Sequence, residues 1–125
     1  SDIVAHPFVA STVHEILGPD AVAMIIASDT PYPGSSFQSI HQDFHRYGLT
    51  VNIPLVDFTD RNGPIEIWPK THRPYGPAGF GEFTKADVLH DKDAIKRINE
   101  REKSMRVLMP AGSILIRDQR LVHRG

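Results

Sequence analysis

Gln38-Ser39-Ile40-His41-Gln42-Asp43 is the stretch from which the rest of the chain can be read. A strand returns its side chains to the same face every two residues, so in His41-x-Asp43 the imidazole and the carboxylate leave one face together. A second imidazole from a distant strand would complete a facial set of two imidazoles and one carboxylate. That set holds Fe(II) on one side and leaves the opposite positions open for small molecules and O2. His123, near the far end of the sequence, is the residue suited to that part. A His-x-Asp tripeptide arises often by chance, so its surroundings decide what it means.

The 125 residues make one domain's worth of chain, long enough for a real core. Hydrophobic residues are 40% and charged residues 23%, the ordinary balance of a globular protein. A formal net charge of -1 and a pI near 6.6 give no reason to expect nucleic acid or an anionic membrane as partner. With no cysteine there is no disulfide framework, thiolate metal site or cysteine nucleophile, which fits a cytoplasmic protein without requiring one. The longest apolar run, Ala21 to Ala27, is far too short to span a bilayer, and no signal peptide is visible.

Outward from the opening stretch, His6 to Gly18 reads as a short helix. Pro7 suits its first position, Val9, Val13, Ile16 and Leu17 share a face, and Gly18 is its stop. Ala21 to Ala27, bounded by turn residues, is expected to be a buried strand, and Pro31 to Ser36 a loop. Leu49 to Phe58 alternates with Val51, Ile53 and Leu55 inward, and Pro54 puts a break or bulge in it. Asp60-Arg61-Asn62-Gly63 is a turn, Pro64 to Pro69 a strand, and residues 74 to 83 an irregular segment suited to a lid. Thr84 caps a helix expected from Lys85 to about Lys103, with a break near His90-Asp91 and with Val88, Leu89, Ile95 and Ile98 packed inward. Met105 to Met109 and Ser113 to Arg117 are strands about a Pro110-Ala111-Gly112 turn, and Arg120 to His123 follows. There is no internal repeat.

Many short strands joined by Gly/Pro turns, interrupted by one helical insertion, predict a mainly β fold, an antiparallel jelly roll with flanking helices. Such a fold brings sequence-distant strands together at its mouth, so His123 can reach His41 and Asp43 without strain.

Four blocks then stand in order: Gln38-x-x-His41-Gln42-Asp43; Asn62-Gly63-Pro64 leading to Trp68-Pro69-Lys70-Thr71-His72-Arg73; Pro110-Ala111-Gly112-Ser113; and Leu121-Val122-His123-Arg124-Gly125. Together they resemble the phytanoyl-CoA dioxygenase-like family, over nearly the whole chain. The resemblance implies a double-stranded β-helix, the cupin-like jelly-roll variant, and an oxygenase that uses Fe(II), 2-oxoglutarate and O2 on a small organic substrate, with release of succinate and CO2. It implies His41, Asp43 and His123 as iron ligands and places Gln38 near the 2-oxoglutarate carboxylate. A carboxylate at Asp43 argues against the halogenating relatives, in which that ligand is missing.

Two departures qualify the match. The family carries a region ahead of the His6 helix, and its arginine for the distal carboxylate of 2-oxoglutarate lies past the second histidine, beyond Gly125. A dicarboxylate calls for a fixed cation there. Arg120 and Arg124 are near but do not match the position, so neither is given that role. The expectation is a single domain over residues 1–125, incomplete at both ends and part of a longer polypeptide.

Other readings stay open. His45 would share the face of His41 and Asp43 on a regular strand, making Asp43-x-His45 a rival pair. His41 is preferred because Gln38 stands at the family's spacing before it and the chain is expected to turn around Arg46-Tyr47-Gly48. His72 is expected to tie down a loop, Trp68 and Phe37 to be core or pocket wall, and Gln38 could equally be a strand-end hydrogen-bonder. A non-enzymatic metal-binding jelly-roll module, a fragment without a competent site, and a zinc hydrolase on the same ligands are the alternatives to an oxygenase.

Overall fold

The computed structural model describes residues 4–44, 46–72 and 92–125. The irregular segment expected at 74 to 83, the Thr84 cap, the helical stretch from 85 to 91 and His45 lie outside them. The chain divides into two compact units, Ser1–Thr30 and Pro31–Gly125.

In the first unit, helix α1 spans Pro7–Leu17, with Pro7 in its first turn. Proline fits there because its missing N–H would have had no intrahelical partner and its φ is already helical. Gly18 ends the helix at φ 90°, its N–H donating to the His14 carbonyl at 2.8 Å. Val9 is buried, Val13 and Leu17 are half-buried, and Ile16, expected on the same face, is exposed. The buried strand expected at Ala21 to Ala27 does not form. The segment has no regular structure, and Val22, Met24, Ile25 and Ile26 are 66–81% exposed. A strand needs a neighbour to take up its N–H and C=O groups, and among the described residues none pairs with this run.

The second unit is β-rich. Strands β1 (Leu49–Asn52) and β4 (Leu115–Asp118) form one antiparallel pair, in which Thr50 faces Arg117 and Val51 faces Ile116. β2 (Glu66–Ile67) is the centre of a second sheet, with β3 (Met105–Arg106) on one side and β5 (His123–Arg124) on the other, all antiparallel. Helix α2 (Lys92–Arg101) precedes β3 and buries Ile98 completely. Among the described residues no helix is long and apolar enough to cross a membrane.

β1 stops two residues short of Pro54, which cannot donate to a ladder. The strand expected to run to Phe58 therefore breaks. Ile53 is half-buried, but Leu55 is 82% exposed rather than inward, and Phe58 returns only as a single bridge to Met109. The turn at Asp60 to Gly63 forms as its residues require, with Gly63 at φ 75° and the Asn62 Oδ1 accepting from the Thr59 N–H at 2.8 Å.

Ile40, Trp68, Ile98, Leu121 and Val122 are buried apolar residues of this unit, and Trp68 Nε1 donates to Asn99 Oδ1 at 2.8 Å. Thr71 is fully buried and serves as a clasp. Its hydroxyl donates to the Trp68 carbonyl at 2.7 Å and accepts from the Val122 N–H at 2.9 Å. The Trp68 N–H in turn donates to the Val122 carbonyl at 3.0 Å. These bonds fix the residue that immediately precedes His123.

Candidate metal centre

The opening stretch does not become a regular strand. It lies antiparallel to the end of the chain through one bridge, His41 to His123, whose two backbone bonds are both 2.9 Å. Gln38 sits at the end of this pairing. Its N–H donates to the Gly125 carbonyl at 2.9 Å and its side-chain oxygen accepts from the Gly125 N–H at 3.1 Å. After Gln42, whose side chain is buried and donates to the Arg120 carbonyl, the chain turns around Gln119. The Asp43 N–H donates to the Gln119 carbonyl at 3.0 Å, and the Gln119 N–H to the Gly48 carbonyl at 3.0 Å. The Gln119 side chain lies against Gly48, where a Cβ would run into its carboxamide.

The result is that His41, Asp43 and His123 each offer a ligand atom, all within 4.8 Å of one another. Asp43 Oδ1 lies 3.7 Å from His41 Nε2 and 3.3 Å from His123 Nε2. Metal bonds of about 2.1 Å at right angles put neighbouring ligand atoms about 3 Å apart, so a small inward adjustment suffices.

The backbone also sets the imidazole tautomers. His41 Nδ1 is 2.6 Å from the Ser39 carbonyl, and His123 Nδ1 is 2.9 Å from the Leu121 carbonyl, each two residues upstream. A carbonyl oxygen only accepts, so each Nδ1 carries a proton, and Nε2, the nitrogen nearer Asp43, is left as the metal-binding atom of each ring. Holding the second nitrogen in this way is how proteins orient metal-binding histidines. The donor set therefore fits a divalent first-row metal.

Asp43 has its other oxygen fully engaged. Oδ2 accepts from Thr50 Oγ1 at 2.9 Å and from Arg117 Nη2 at 2.9 Å. Burial by itself would raise the Asp43 pKa, but His123 beside it and the Arg117 cation more than offset that and hold the carboxyl well below its usual range. Arg117 is buried, and desolvation pulls its own pKa down while Asp43 opposes. A guanidinium stays charged under such a shift. Its Nε donates to Asn52 Oδ1 at 3.0 Å. Its Nη1 and Nη2 lie 3.3 and 3.1 Å from the two ring nitrogens of His123. With Nδ1 already bonded to Leu121, this parallel pair of contacts sets the guanidinium along the ring.

Arg117 was legible in sequence only as the end of a strand. By alternation it falls on the face opposite Ile114 and Ile116, so nothing in the sequence marked it as a buried partner of Asp43. The other two arginines of this region are turned to acids of their own: Arg120 to Asp118 at 2.6 Å and Arg124 to Glu66 at 2.6 Å. Arg124 also lies over the Phe37 ring at 4.3 Å. His72 stands in the turn after Trp68 and is not among the metal-capable group of the described residues.

His41, Asp43 and His123 thus form, on a β-rich scaffold, a candidate site for one metal ion. A family model described as phytanoyl-CoA dioxygenase (PhyH) matches residues 1–125, and the chain belongs to that family. At the family level this supports an oxygenase of the Fe(II)- and 2-oxoglutarate-dependent type.

Proposed function

We propose that this chain is a dioxygenase domain that binds Fe(II) through His41 Nε2, Asp43 Oδ1 and His123 Nε2 and oxidises a small organic substrate. The observation that carries the reading is the convergence of three donor atoms whose protonation states suit a metal, in a chain of the phytanoyl-CoA dioxygenase family. In this reading residues 1–125 belong to one double-stranded β-helix. The antiparallel strands joined across long sequence separations support that architecture.

The iron, with 2-oxoglutarate and O2, would supply the oxidising power for hydroxylation or a related C–H oxidation, with succinate and CO2 released. The protein's part is to position. The carbonyls of Ser39 and Leu121 hold both imidazoles as Nδ1–H tautomers, and Thr50 and Arg117 hold Asp43 ionised. Three protein ligands would leave three positions for the oxoacid and O2. Gln38, exposed and anchored to Gly125 beside the His41 to His123 bridge, is assigned to the co-substrate side. The small-molecule substrate and a cytoplasmic setting complete the reading, with no nucleic-acid or membrane partner invoked.

The test is anaerobic titration of the purified protein with Fe(II) and 2-oxoglutarate, followed by admission of air. The expected result is a visible iron–oxoacid charge-transfer band, then succinate. Metal binding with neither band nor succinate would favour a structural metal module, and hydrolysis supported by Zn(II) alone would favour the hydrolase.

A further inference from the structure

The β1–β4 pair presents a polar strip on the face toward Asp43. Thr50 and Asn52 are two residues apart on β1, so they share a face. Arg117 stands directly opposite Thr50, which makes Asn52 its diagonal neighbour, within reach of a long side chain. From this strip one network runs from Asn52 Oδ1 to Arg117 Nε, and from Arg117 Nη2 to Asp43 Oδ2, with Thr50 Oγ1 as the second donor to the same oxygen.

We propose that Arg117 is a positioning residue for Asp43, braced by Asn52 and assisted by Thr50, and that together they restrict the carboxylate to a single-oxygen ligand. The inference rests on the metal-centre reading above. Oδ2 carries two donors, one of them charged, and Oδ1 alone faces the imidazoles. Charge-assisted bonds of this kind are short and directional, and a bonded oxygen is a poor second metal ligand. Monodentate attachment of Asp43 preserves an open metal position that a bidentate carboxylate would consume.

Electrostatics alone would argue the other way. A guanidinium near a divalent cation repels it, so if charge were the whole effect, Arg117 would weaken metal binding. The distinction lies in variants that keep the charge or never had one. Lysine keeps the cation but cannot serve Asn52 and Asp43 from two separate nitrogens. Thr50→Val and Asn52→Leu alter no charge.

The experiment is Co(II) titration of wild type, Arg117→Lys, Thr50→Val and Asn52→Leu, read by calorimetry and by the Co(II) visible spectrum. Arg117→Lys is expected to bind Co(II) about 10- to 100-fold more weakly, the range for lost outer partners of a metal ligand. Thr50→Val and Asn52→Leu should move the same way by a smaller factor. All three should show weaker visible bands per bound Co(II), as a second carboxylate oxygen raises the coordination number. A purely structural role would lower stability and leave the spectrum of the bound ion unchanged, which would overturn the inference. So would wild-type affinity in both Thr50→Val and Arg117→Lys. If Arg117→Lys does not fold, Thr50→Val decides by itself. Wild-type protein that binds no Co(II) would instead bring down the metal-centre reading on which the inference stands.

Discussion

His41 and His123 are a hydrogen-bonded antiparallel pair: each donates its N–H to the other's carbonyl at 2.9 Å, and their rings lie 4.4 Å apart, tilted by 50°. The two imidazoles are thus placed by the backbone rather than by a chance meeting of side chains. Directly opposed residues share a face, so the bridge that joins the chain segments also joins the ligands.

Removing either imidazole should remove the metal and leave the fold. His41→Ala and His123→Ala should each lower Fe(II) or Co(II) affinity by more than about 100-fold, beyond the loss typical of an outer partner. Far-ultraviolet circular dichroism should stay near that of wild type. His45→Ala should keep most of the affinity. Metal loss in the His45 variant with His41→Ala unaffected would reassign the site to Asp43-x-His45.

The Thr71 clasp should be worth more than its one hydroxyl suggests. Thr71→Val leaves the Val122 N–H without its acceptor in a fully buried position. An unsatisfied buried donor costs about 1 to 3 kcal/mol, and Thr71→Ser should recover most of it. Chemical denaturation of the three proteins measures this. Equal midpoints would show that the clasp is incidental.

Lys70 is at φ 66°, a left-handed conformation that β-branched residues resist most. Lys70→Gly should be close to neutral, the relief of strain offsetting the greater chain entropy and the loss of the exposed Glu102 pair. Lys70→Val should be less stable than Lys70→Gly by at least about 1 kcal/mol. The reverse order in thermal melts would mean that the turn relaxes when substituted.

Acid stability should depend on Glu66. Burial would raise its pKa, but bonds from Ser104 and Arg124 and the Arg124 charge bring it below its ordinary value of 4.5. A folded-state pKa below the unfolded one means that the folded protein holds its proton less tightly. That contribution is complete above the unfolded value and is lost as pH falls through the folded one. Glu66→Gln should therefore flatten the acid limb of stability below about pH 4.5, and the two proteins should converge at lower pH. Parallel curves across that window would rule out Glu66 as a contributor.

What the sequence alone determined was local. The proline start and glycine end of α1, the glycine turn at Gly63 and the break at Pro54 follow from what proline and glycine permit. They stand in the structure as the residues demand, and the four ordered blocks were enough to indicate the family. Tertiary structure decided which charges meet. Asp43 and Arg117 are 74 positions apart, and only the register that sets Thr50 opposite Arg117 brings the guanidinium onto the carboxylate, while Arg120 and Arg124 turn to other acids. It decided likewise that Leu55 and the apolar run from Ala21 to Ala27 stay exposed, because hydrophobicity states a preference for burial and only a paired neighbour can satisfy it.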